Sequence, residues 1–160
     1  NSMKFIIETW EENSILRTVS EVVKKDEIAH YAKIGKEMVK YVKNPDNKCI
    51  GLAAPQAGYN KRVIAVGLIP EWEFEGSFPY LAMMNPVIEW HSDEAEIDDE
   101  GCLSVPGSVG MVKRWRDITL SYTNDKSKHV TLKLSGAPAR VVQHEIDHLD
   151  GILFTDKLEK

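Results

Sequence analysis

The sequence predicts an α+β fold, with antiparallel or mixed sheets packed around a C-terminal helix that carries an H-E-x-x-H pattern. Three observations point there. Helical periodicity occupies one early stretch, β-branched runs fill the middle without βαβ alternation, and a second helical stretch closes the chain. The chain has 160 residues, which argues for one domain large enough to bury a core without disulfide staples.

Each element follows from local signals. Ile28, Tyr31, Ala32, Met38, Val39 and Val42 recur at helical spacing, predicting a helix over 26–43. Asn44-Pro45 ends it, because a proline disfavours the helical conformation in the residue before it. A small, apolar stretch follows over 49–56, then a turn around Gly58 to Asn60. Residues 62–69 read as a strand, 71–80 as a loop with Gly76, Ser77 and Pro79, and 86–91 as a further strand. The runs 118–123 and 130–134 flank Asn124-Asp125-Lys126-Ser127-Lys128, the pattern of a hairpin with a longer turn. A helix is expected over 136–150, with Gly151 as its C-terminal cap.

Composition narrows the function. Apolar residues make up 42% and charged residues 28%, a globular balance rather than a disordered one. A net charge of -5 lacks the basic face that nucleic acid would want. No apolar run reaches the length of a membrane span. Two cysteines are too few for a secreted disulfide scaffold, and no secretory signal is visible, so the expected compartment is the reducing cytosol. Asn1-Ser2 ahead of Met3 reads as a cloning remnant.

The sharpest chemical signal is His144-Glu145-Ile146-Asp147-His148. At about 100° per residue, the two histidines point roughly 40° apart, one turn along the axis, and can grip one metal ion. Glu145 lies toward the apolar arc of Val141 and Leu149. A carboxylate there is costly unless a metal with its water compensates, and it can then shuttle that water's proton. Arg140, Gln143 and Asp147 fall on the opposite arc, expected as a solvated or supporting face with no catalytic role.

A catalytic site usually takes three protein ligands. The metzincin pattern wants histidine where Phe154 stands, and Glu159 is too near the end to serve as a downstream glutamate. Upstream, Cys102 leads as a thiolate donor, with His91, His129 and His30 as isolated alternatives. The rival readings are a zincin-type peptidase and a domain using metal only as a staple.

Three segments then coincide with a known family. Residues 50–56 (Ile-Gly-Leu-Ala-Ala-Pro-Gln), 100–104 (Glu-Gly-Cys-Leu-Ser) and 143–148 (Gln-His-Glu-Ile-Asp-His) closely resemble the signature motifs of peptide deformylases, in order and spacing. The likeness runs from Met3 to the end, through Asn13-Ser14-Ile15-Leu16-Arg17 and Asp150-Gly151-Ile152-Leu153-Phe154, and so implies one deformylase-like domain over 3–160. Cys49 departs from the pattern, standing where the family's first motif usually has glycine.

The resemblance implies a metal-dependent amidase of the cytoplasm. It would remove formyl from the N-terminal formyl-methionine of new polypeptides, near the ribosome, and release formate. It implies Cys102, His144 and His148 as ligands to one divalent ion, Fe2+ natively, with Zn2+, Ni2+ or Co2+ accepted. Glu145 corresponds to the general acid/base, and Gln56 and the Leu103 N–H to the donors at the formyl oxygen. Ile50 and Gly51 fall where the family holds the substrate backbone. Val141, one turn before Glu145, is expected to line the methionine pocket, and Arg114 to pair with Glu100 and steady the Cys102 loop.

Overall fold

The computed structural model describes residues 3–70 and 78–160. A one-turn helix α1 (Ser14–Arg17) and a long helix α2 (Ile28–Lys43) precede strands β1 (Gly51–Ala53), β2 (Val63–Gly67), β3 (Tyr80–His91), β4 (Ala95–Gly101), β5 (Val109–Trp115), β6 (Asp117–Thr123) and β7 (His129–Ser135). Helix α3 (Ala137–Leu149) follows. Five strands pair antiparallel in the order β1-β2-β3-β6-β7, and β4 with β5 makes a separate antiparallel ribbon. The α+β class expected from the sequence is the one observed.

The five-stranded sheet is covered on both faces. Side chains alternate along a strand, so β2 sends Val63 and Ala65 one way and Ile64 and Val66 the other. Val63 and Ala65 pack with Ile34, Met38 and Val42 of α2. Ile64 and Val66 pack with Val141, Val142, Ile146 and Leu149 of α3. All of β2 is therefore buried, which explains its unbroken apolar run. Helix α3 thus lies between the sheet and the β4–β5 ribbon, and this position fixes everything that follows.

The sequence expectations meet the structure unevenly. The helix expected over 26–43 is α2 preceded by a 3-10 turn at Lys25–Glu27. The strand expected over 62–69 is shorter, and the hairpin expected at 118–134 is β6–β7. Gly151 caps α3 as expected: with φ 75° it donates to the His148 carbonyl while Ile152 N–H reaches back to Asp147, a Schellman closure. Residues 71–77 of the expected loop lie outside the described residues, but Tyr80 already belongs to β3. That strand continues through Pro86, which β-pairing tolerates because the register shifts between Met84 and Val87.

Candidate metal centre

The histidines of the H-E-x-x-H pattern sit on the buried side of α3, and the end of β4 delivers Cys102 to them. His144, Glu145 and His148 are all buried, and Cys102 is half-buried. Cys102 Sγ lies 3.3 Å from His148 Nε2, and ligand atoms of Cys102, His144 and His148 all fall within 4.8 Å of one another. Tetrahedral coordination of zinc-like ions places sulfur and nitrogen ligands roughly 3.5 Å apart, so this triangle is of the right size. The other histidines take no part. His30 packs edge-on against Tyr31, His91 stacks on Trp115, and His129 opens β7; all three are exposed. Both cysteines are free thiols.

The donor set fits a divalent ion. A thiolate and two imidazoles suit borderline metals, and His148 Nδ1 and Glu145 Oε1 are buried atoms without a hydrogen-bond partner among the described residues. His144 Nδ1 lies 2.8 Å from Glu100 Oε1. A carboxylate only accepts, so Nδ1 carries the proton and Nε2 is left free to ligate. Burial would lower the His144 pKa, but hydrogen bonds to Cys102 and Glu100 outweigh it and raise it to about 10. A bound cation would displace that second proton, as metal binding commonly does. Burial holds His148 well below the usual histidine range, in its neutral, ligating form.

Glu145 sits fully enclosed on the cleft side of α3. Burial pushes its pKa up to about 7, beside a cleft of about 800 Å³. Ile50, Gly51, Gln56, Leu103 and Val141 line the same cleft, so the structure brings together all the residues that the resemblance singled out there. Gln56 is fully buried. Its Oε1 accepts from Ala53 N–H (2.9 Å), and its Nε2 donates to Ser104 Oγ (3.1 Å) and faces Cys102 Sγ (3.5 Å). The amide is therefore held with its donor end toward the sulfur. Cys49 also lines the cleft, and burial raises its thiol pKa to about 11, so it remains protonated.

The opposite arc of α3 corrects one expectation. Arg140, Gln143 and Asp147 do support the site, but they are not solvated, because the β4–β5 ribbon covers them. Arg140 Nη1 donates to Glu100 Oε2 (2.7 Å) and the Val112 carbonyl, and Nη2 to the Glu96 carbonyl. Gln143 brackets the Trp115 backbone, accepting from its N–H and donating to its carbonyl. The expected pairing of Arg114 with Glu100 is present, with Nε and Nη2 both at 2.9 Å from the carboxylate. Arg114 Nη1 also meets Asp147. Despite burial, the hydrogen bonds from Arg114 and His144 hold Glu100 far below the usual carboxylate range. Amphipathic periodicity could not reveal this network, since the arc looks like any charged helix face. The only sequence signal was the density of charge on β4, β5 and α3.

A two-histidine, one-thiolate group on an H-E-x-x-H helix, open to a cleft and flanked by a buried carboxylate, defines a mononuclear metallohydrolase type of centre. Comparison with known proteins gives the family. Residues 5–160 match the polypeptide deformylase family, and the chain belongs to it. It is 42% identical over 127 residues to peptide deformylase 2 of Gloeobacter violaceus, a match covering 79% of this chain and 65% of that relative. A peptide deformylase of Thermosynechococcus vestitus is 38% identical, with 64% of its length matched, so the chain spans just under two thirds of these curated relatives. Among solved structures it is similar to a probable peptide deformylase from Synechococcus phage S-SSM7 (TM-score 0.83, 42% identity, 97% of this chain and 100% of that one). It also resembles a Met-Ala-Ser-bound class I type b peptide deformylase from Acinetobacter baumannii (TM-score 0.87, 31% identity, 99% and 100% covered).

Proposed function

We propose that this chain, as one domain over 3–160, hydrolyses the N-formyl group from the formyl-methionine that begins newly made polypeptides. The observation that carries the reading is the meeting of Cys102, His144, Glu145 and Gln56 around one cleft, with His148 completing the ligand group behind them. The peptide Met-Ala-Ser bound to the Acinetobacter relative supports a substrate of this kind. Cys102, His144 and His148 would hold one divalent ion, Fe2+ natively, with Zn2+, Ni2+ or Co2+ as substitutes. Bound there, the ion would supply Lewis acidity and lower the pKa of water.

The chain's own residues do the rest. Glu145, with a pKa near neutrality, accepts a proton from the attacking water and later gives it to the departing amine. Water adds to the formyl carbon, the C–N bond breaks, and formate and a free N-terminal methionine result. Gln56 Nε2 and the Leu103 N–H donate to the formyl oxygen as negative charge builds on it. Ile50 and Gly51, at the edge strand β1, align the substrate backbone, and Val141 forms part of the wall for the methionine side chain. No helix among the described residues is long and apolar enough to cross a membrane. A cytoplasmic place near the ribosome, where formylated chains emerge, fits the proposed substrate.

The test is a formate-release assay on formyl-Met-Ala-Ser, using protein purified anaerobically and analysed for metal. Formate release without internal cleavage of longer peptides is the expected result. Internal cleavage without formate would replace this reading with a zincin-type peptidase.

A further inference from the structure

Gly51 is held next to the buried carboxylate more tightly than its backbone requires. It is not among the glycines with positive φ, so backbone conformation does not call for glycine there. Space does. A Cβ at Gly51 would lie 2.6 Å from Glu145 Oε2, 3.0 Å from Glu145 Cγ and 2.9 Å from Val141 Cγ2. Other crowded glycines press on structural neighbours: Gly67 on the Tyr80 ring, Gly110 on Leu158 and Gly151 on the Arg17 backbone. Among the described glycines, Gly51 is the one whose missing side chain leaves room for a carboxylate in the cleft.

The neighbours that could yield are unequal. Strand β1 is pinned by pairing with Val66, Ala65 and Ile64, and its Leu52 and Ala53 are fully buried. The α3 backbone is anchored through Val142 and Leu149, which are also fully buried. The far end of Glu145 is the soft part, since no hydrogen-bond partner among the described residues holds its Oε1. We propose that Gly51 is a positioning residue: the empty volume at its Cα sets where the Glu145 carboxylate rests, and so governs the rate of hydrolysis. The inference rests on the deformylase reading for its kinetic part, but its structural part stands apart from it.

The test compares Gly51→Ala in the natural background and in a Glu145→Ala background, which removes both the carboxylate and the Cγ that the added methyl would meet. A crystal structure of metal-loaded Gly51→Ala should show the Glu145 carboxylate displaced away from β1 with the fold and metal intact. Misplacement of a reacting group by about 1 Å costs on the order of a hundredfold, so kcat on formyl-Met-Ala-Ser should fall by about that factor while KM changes little. Adding Gly51→Ala to Glu145→Ala should cost almost nothing further in the residual rate. An equal fall in both backgrounds, a rise in KM alone, or an unmoved carboxylate would overturn the proposal. If Gly51→Ala folds only together with Glu145→Ala, the collision is the one proposed; if only together with Val141→Ala, the space serves the pocket wall and the proposal fails. Absence of formate release from the natural protein would instead sink the deformylase reading, and the carboxylate's displacement would still decide this one.

Discussion

The two polar arcs of α3 are both largely shielded from solvent, yet they are solved in opposite ways. On the ribbon side, Arg140, Gln143 and Asp147 find complete partners in Glu100, Arg114, Val112 and the Trp115 backbone. On the metal-ligand side, Glu145 Oε1 and His148 Nδ1 find no partner among the described residues. Burying an unpaired polar atom costs roughly 1–3 kcal/mol, so the metal-ligand side is a standing cost and the ribbon side is a support. Polarity on a helix does not mark function by itself; unsatisfied polarity beside a cleft does.

Three measurements probe that contrast, and a fourth gives a reference outside it. The largest effect is expected from Glu145→Gln, which should lower kcat by about 10²–10⁴-fold with metal content and thermal stability preserved. A matching loss of stability would move Glu145 to the supporting side. On the ribbon side, Arg114→Met should destabilise by about 3 kcal/mol in urea unfolding, because it removes the bidentate partner of the buried Glu100 carboxylate, leaving it Arg140 and His144, and also takes a partner from Asp147. An unchanged unfolding midpoint would mean the network is dispensable. Glu100→Gln joins the two arcs, since Glu100 orients His144. Metal titration of this variant should show affinity weakened by about 10–100-fold, and full affinity would detach the network from the site.

The smallest effect lies outside both arcs. Arg17 holds the Asp156 carboxyl below its usual value through a partly exposed pair. Its contribution is therefore present above the unfolded carboxyl pKa and lost as pH falls through the lower folded one. Asp156→Asn should remove only about 0–1 kcal/mol at neutral pH and slightly flatten the acid limb of the stability profile. A larger loss would mean that the tie from α1 to the chain's end matters more than its exposure suggests.

Legibility followed the range of the interactions. Helices α2 and α3, the β6–β7 hairpin and the Gly151 cap were readable because each rests on contacts a few residues apart. Strands β4 and β5 were not. Ala95–Gly101 is mostly acidic, without the alternation of a half-buried strand, and it is ordered because Glu100 meets Arg114 and Arg140 across the fold. The Arg114–Glu100 pair was anticipated, and the charges on α3 that complete it were read as either solvated or supporting, a choice that helical periodicity alone could not make.

By itself, the sequence determined that two imidazoles and a carboxylate share one helix with its C-terminal cap, and that the motifs belong to one family. Helical geometry is local, and motifs are strings. Cys102 was already the leading upstream donor in the sequence, but only the tertiary structure decided that its sulfur meets the imidazoles, because that depends on where β4 ends relative to His148, 46 residues further along the chain than Cys102. It also decided which polar side chains are left unpaired, since satisfaction of a hydrogen bond depends on everything packed around it.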